Sequence, residues 1–257
     1  MKQEITRWAR WVLWFGLWAG TALSLCLSLA HAQSDFITME TSLPAATYAA
    51  FALTADSASF APDSPENKGL LDKGFGTPVR VQRVLDRHVQ VVSPATKTLL
   101  TVPFGWRGFD DGKRARMFTP TGSIGITIHA LSMDGFVDWD DVRGQVWSLA
   151  RKTAEARAKK DPRYQARLIR LADGTFGMRE TNINEGEDGP YSSIILFRQH
   201  PSDPKMAIRL NLYTPLDEFE RYLGLAALVM REMQGAPAGT PAPVTAPAAV
   251  PVKPAAK

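Results

Sequence analysis

Cysteine is almost missing from this chain of 257 residues, and the single example, Cys26, lies in an apolar run near the N-terminus. Beyond that run there is no thiol, which excludes disulfides, thiolate zinc sites, cysteine nucleophiles and dithiol redox chemistry. Histidine is scarce as well. After residue 32 only His88, His129 and His200 remain, and none has another histidine or cysteine at metal-ligand spacing, so each reads as structural or simply exposed. There is no Gly-x-Ser-x-Gly elbow, no phosphate-cradling glycine loop and no His-Glu-x-x-His. An excess of one charge is lacking too: the formal net charge is +4, and Lys2, Arg7 and Arg10 against Glu4 account for half of it. A surplus that small over the rest of the chain is no nucleic-acid signature.

What is present begins with an address. Lys2, Arg7 and Arg10 precede an apolar run from Trp11 to Ala30 that ends in Ala30-His31-Ala32, small residues at the positions a signal peptidase inspects. Residues 1–32 are therefore expected to be a signal peptide, cleaved before Gln33, and the protein to be periplasmic or secreted. The competing reading is an uncleaved anchor, because twenty residues would span a bilayer core of about 30 Å. Membrane contact is expected only in that case.

Three regions follow. Residues 33–78 are rich in Ala, Ser, Thr, Asp and Pro without a sustained period, and are expected to be irregular, with Tyr48, Phe51 and Phe60 able to tuck onto the main domain. Residues 235–257 hold six prolines and eight alanines but no acid and no aromatic, the composition of a disordered, extended tail. Between them, 79–234 reads as one folded domain. Valines at 79, 81, 89 and 91, isoleucines at 124, 126 and 128, and Met206, Ile208, Leu210 and Leu212 alternate with polar partners as half-buried strands do. Further strands are expected over 99–102, 114–119, 167–171, 176–181 and 193–198, with Ala172-Asp173-Gly174 as a hairpin turn.

Two segments have helical spacing instead. One follows Asp138, with Trp139, Val142, Val146, Leu149 and Ala150 on a stripe, acids at its start and basic residues towards its end. The other is expected to open at Thr214 as N-cap with Pro215 at the first helical position, and to stop at Gly235. This order predicts an α+β fold, an antiparallel β-sheet covered by helices.

The stretch Leu99-Leu100-Thr101-Val102-Pro103-Phe104-Gly105-Trp106 resembles the strand and Pro-x-Gly-Trp opening of the PsbP-like fold. The strand ending at Thr119-Pro120-Thr121-Gly122, the strand over 124–128, the helix after Asp138 and the closing strand and helix over 207–233 then follow in matching order. The resemblance covers residues 99–234 and implies an α-β-α sandwich. Proteins of that fold share the binding of another macromolecule rather than a reaction, so it implies an interaction module.

Candidate sites are few. Trp106, Arg107 and Phe109 follow the Pro-x-Gly turn in an expected loop, and arginine with aromatics is interface hot-spot composition; the alternative is that Trp106 plugs the end of the sheet. In the last helix Leu225 and Leu228 lie opposite the stripe of Leu216, Phe219, Leu223, Ala226 and Met230, so something must cover them: the segment around Tyr48 and Phe51, or another polypeptide. Acid groups at Asp134, Asp138, Asp140 and Asp141, and at Asn182, Asn184, Glu185, Glu187 and Asp188, lack the spacing of a calcium loop. They read as a helix N-terminus and a polar loop. The basic stretch 151–170 has one interleaved aromatic, Tyr164, and reads as a solvated face.

The whole describes an exported, non-enzymatic binding or assembly protein acting through protein–protein contacts. Its partner would be an envelope protein or a second copy, not nucleic acid, and no cofactor is expected. A small-molecule or lipid binder with a groove between helix and sheet is the alternative, and a hydrolase with an unrecognised site is a third.

Overall fold

Alternation in the sequence becomes two sheets in the computed structural model, which describes residues 37–53, 77–184 and 190–237. The expected signal peptide, Cys26, Phe60, the acids Glu185, Glu187 and Asp188, and the chain after 237 lie outside the described residues. The strands are β1 (Thr38–Glu40), β2 (Thr77–Pro78), β3 (Arg80–Leu85), β4 (His88–Ser93), β5 (Thr98–Pro103), β6 (Arg107–Asp110), β7 (Arg114–Phe118), β8 (Gly125–Ser132), β9 (Gln165–Arg170), β10 (Phe176–Ile183), β11 (Tyr191–His200), β12 (Asp203–Pro215) and β13 (Gln234–Gly235). Two α-helices, α1 (Trp139–Ala158) and α2 (Phe219–Glu232), complete the set.

Nine strands form the larger sheet in the order β1-β9-β10-β11-β12-β8-β7-β6-β2, and four form the smaller one as β13-β5-β4-β3. Every pairing is antiparallel except that of β1 with β9. The architecture is thus mixed α+β, but a second sheet takes the place of one of the expected helical layers. The β9–β10 hairpin turns at Ala172-Asp173-Gly174 as its composition requires: Gly174 has φ +83° and Asp173 Oδ1 accepts the Thr175 N–H at 3.0 Å.

One face of the larger sheet is apolar. Ala115, Met117, Ile126, Ile128, Leu196 and Leu210 on it belong to a single core with Val89, Val91, Leu100 and Val102 of the smaller sheet. α2 packs against β11 and β12 and also against β5. With strands of both layers against it, nine of the fourteen residues of α2 are buried, Leu225 and Leu228 among them, and Glu220, Arg221, Arg231 and Glu232 near its ends are exposed. Arg198 closes its C-terminal end by donating to the Met230 and Arg231 carbonyls at 2.7 and 3.0 Å.

Three expectations change here. Within the described part of 33–78, expected to be irregular, β1 extends the larger sheet, and a 3-10 turn, Tyr48–Phe51, sets Tyr48 and Phe51 into the main core, the tucking expected of them. Their backbone groups are tied down, since Trp106 Nε1 donates to the Phe51 carbonyl at 3.2 Å and the Leu53 N–H to that of Phe104 at 2.9 Å. Thr214 is not an N-cap. The β11–β12 ladder runs on until Tyr191 pairs with Pro215, so Thr214 stays in the strand and α2 starts at Phe219 after a 3-10 turn, Leu216–Glu218. Finally, Gln234, expected at the end of the last helix, and Gly235, expected as the first residue of the tail, form a short strand on β5, extended by the Ala236 N–H donating to the Lys97 carbonyl at 2.9 Å.

Candidate functional site

The other face of the larger sheet is half covered. α1 lies on β9 and β10, with Ala150 against Leu168 and Met178, and Ala154 against Tyr164, Ala166 and Ile183. Trp147 Nε1 donates to the Gly177 carbonyl and Trp139 Nε1 to that of Gly174, each at 3.3 Å. The acids ahead of α1 are taken up locally: Asp138 Oδ1 caps the Asp141 N–H at 2.8 Å, Asp140 pairs with Arg143, and Asp141 accepts from the Val137 N–H and from Gln145. At the far end Arg157 turns inward to Glu180, whose Oε1 also accepts the Tyr164 hydroxyl at 2.5 Å. Burial, reinforced by the Glu180 charge, holds the Tyr164 phenol well above its ordinary value.

Among the described residues the helix packing ends at β10, and the sheet continues without it. Strand register aligns the side chains of this face in rows. Phe176, Phe197, Arg209, His129 and Arg114 stand side by side across β10, β11, β12, β8 and β7. In the next row Ile195, Asn211, Thr127, Arg116 and Phe109 are aligned, and in the third Tyr213, Gly125, Phe118 and Arg107. Phe176 and Phe197 stack at 5.5 Å, and Phe109 and Phe118 at 5.8 Å. Gly125 is glycine because the Tyr213 ring lies on it: a Cβ there would be 2.4 Å from the Tyr213 hydroxyl.

The charge of this surface is fixed by geometry. Asp111, in the turn between β6 and β7, accepts from Arg114 Nε and Arg116 Nη2 at 2.9 Å each and holds both guanidinium groups in place. Burial pushes the Asp111 carboxyl up, but the Arg114 hydrogen bond, the Lys113 N–H and the charges of Arg116 and Arg114 outweigh it and keep the group below its ordinary range. His129 is pushed down to about 4, first by burial and then by Arg209 and Arg114 beside it. At neutral pH it is an uncharged imidazole among cations. Burial also lowers Arg209. Arg107, Arg114, Arg116 and Arg209 thus face this side with Asp111 as the one carboxylate among the described residues in the same rows. Asp110 points the other way, in register with core-facing Ala115, and accepts from Ser93 Oγ at 2.8 Å and the Ala95 N–H at 3.0 Å, tying the two sheets together.

Of the residues singled out as a partner surface, Arg107 and Phe109 stand in these rows, Phe109 fully buried there. Trp106, in the turn before β6, and Phe109, in β6 and not in a loop, are fully buried, and Leu225 and Leu228 are inside the core that α2 shares with strands of both sheets and with Tyr48 and Phe51. His200 is structural, its Nε2 against the Thr96 carbonyl at 2.9 Å and its Nδ1 accepting the Ser202 N–H at 3.2 Å. His88 stacks on Tyr48. The arginine rows were missed in the sequence although the signal exists: Arg114 and Arg116, Thr127 and His129, and Arg209 and Asn211 are the polar beats of three alternating strands.

No family model matches this sequence, and no curated protein matches it. Among solved structures the chain is similar to the solution structure of cyanobacterial PsbP (CyanoP) from Synechocystis sp. PCC 6803. That likeness has 15% identity and a TM-score of 0.39, and covers 57% of this chain and 91% of the other.

Proposed function

We propose that this chain is an exported, non-enzymatic binding or assembly protein, and that it docks a partner protein on the half of its nine-stranded sheet that α1 leaves uncovered. The supporting observation is the in-register row of Phe197, Arg209, His129 and Arg114 on four adjacent strands. Side chains on paired strands are held rigidly, so they lose little freedom on binding, and arginine with aromatics is the composition that interface centres favour. Both helix–sheet seams are filled by the chain's own side chains, which turns attention from a groove beneath a helix to the part of the sheet face beyond α1. Export rests on the basic start and the Ala30-His31-Ala32 site. No helix among the described residues is long and apolar enough to cross a membrane.

Photo-crosslinking residues placed at Thr127 and Ile195 on the open face, with Gln145 and Lys152 on the outer side of α1 as controls, test this in intact cells. Adducts with a common partner from the sheet positions alone are expected. Adducts only from the helix positions, or none from the sheet, would refute the assignment of this face.

A further inference from the structure

We infer that the outer edge of β3 takes up an extended segment of another polypeptide, alternating acidic and apolar residues, as a fifth strand of the smaller sheet. An open edge offers a row of backbone donors and acceptors to any extended chain, and folds commonly blunt it by keeping edge strands very short. Three edges here are of that kind: β1 has three residues, β2 two and β13 two. β3 is the exception. It is the end strand beyond β4, it has six residues, and Arg80, Gln82, Arg83 and Val84 in it are exposed. Among the described residues no strand pairs with its outer side.

Register says what the added strand must carry. Paired residues share a face, so Arg80 and Arg83, opposite Val92 and Gln90, stand on one side of the sheet, and Val81 and Val84, opposite Val91 and Val89, on the other. Gln82 is the extra residue of a bulge between the two halves. Val81 packs against the main core, whereas Val84 is 54% exposed and leaves an apolar contact at the rim for an incoming side chain. Arg80, Arg83 and Arg87 make no ion pair among the described residues, and Asp86 is the one carboxylate in 80–88. Strand addition draws affinity from main-chain hydrogen bonds and selectivity from alternate side chains. This edge therefore calls for carboxylates beside Arg80 and Arg83 and an aliphatic group beside Val84. A second copy fits less well, because β3 paired with itself gathers the arginines of both chains on one ribbon, and like charges on neighbouring strands repel. Charges and bulges keep an edge from pairing with its own kind, and the same arginines favour a strand of opposite sign. The edge belongs to the smaller sheet and not to the rows around His129, so its occupancy is independent of docking at Thr127 and Ile195.

The test uses protein purified from the envelope, full length after export, and a fluorescent eight-residue Glu-Val repeat. A Lys-Val repeat and a Glu-Val repeat methylated at every backbone nitrogen are the controls. The Glu-Val repeat is expected to bind and to slow hydrogen exchange of the amides in 80–85. The Lys-Val repeat should bind at least tenfold more weakly, the methylated repeat should lose binding because it cannot donate to a ladder, and high salt should weaken the Glu-Val complex. The double variant Arg80→Glu, Arg83→Glu, at two exposed positions, should keep its melting temperature and reverse the preference to the Lys-Val repeat. Equal binding of the methylated repeat, or unchanged exchange in 80–85, would reduce the contact to charge attraction and overturn the inference. So would failure of the Glu-Val repeat to bind, or its undiminished binding to the double variant. Protection of 80–85 that rises with protein concentration in the absence of peptide would give the edge to a second copy and overturn it as well.

Discussion

His129 is neutral in the fold near neutral pH because burial and the charges of Arg209 and Arg114 oppose its proton. Its ordinary value is 6.5 and its folded value about 4, so between those limits the unfolded chain binds more protons than the folded one. Stability is then complete above about pH 6.5 and falls as the pH drops towards 4, by roughly 2 kcal/mol after allowance for solvent screening. Denaturant midpoints measured across that window should decline more steeply in the wild type than in His129→Gln. Asp111 acts lower still, losing its contribution only as its own carboxyl is protonated. A second residue, Glu180, is 2% exposed and accepts from Tyr164 and Arg157. Glu180→Ala leaves both donors facing a buried gap and should cost on the order of 3 kcal/mol in chemical denaturation.

Helix α2 is the element on which the layers converge, and Gly224 shows how closely. A Cβ at this position would meet the Pro44 carbonyl oxygen at 2.6 Å and Ala46 Cβ at 2.9 Å. Helix propensity alone favours alanine over glycine by about 1 kcal/mol, but the contact is with backbone and cannot yield cheaply. Gly224→Ala is therefore expected to lower the unfolding free energy by about 1–2 kcal/mol instead of raising it. Leu225 and Leu228, 0% and 4% exposed, test the same packing from within. The double variant Leu225→Glu, Leu228→Glu should abolish cooperative melting, since it forfeits roughly 3–6 kcal/mol of apolar burial and forces two carboxylates into a dry core. An unaltered melting curve would place these side chains at a surface.

At the scale of the molecule, the described residues from Ile37 onward belong to one compact unit. A protein beginning at Gln33, the expected product of cleavage after Ala32, keeps every contact of β1 and of the 3-10 turn. N-terminal sequencing of protein from the envelope should read Gln33, and a start at Met1 in the membrane fraction would mean the run is an anchor. A chain starting at residue 54 removes Tyr48 and Phe51 from the core and should melt well below it. The sequence by itself determined the α+β class, most strands, the hairpin at Ala172-Asp173-Gly174 and the Asp138 cap, because each depends on period or turn chemistry within a few residues. It could not decide what lies opposite an apolar strand or helix side. That is why the cover of Leu225 and Leu228 stayed open between the segment around Tyr48 and Phe51 and another polypeptide, and why Tyr48 and Phe51 gave no periodic sign of belonging to the core. Only the tertiary structure decided that Arg114, His129 and Arg209 stand in one row. They are separated by 15 and 80 positions along the chain, and strand register, set by long-range pairing, is what brings their side chains to the same line on the same face.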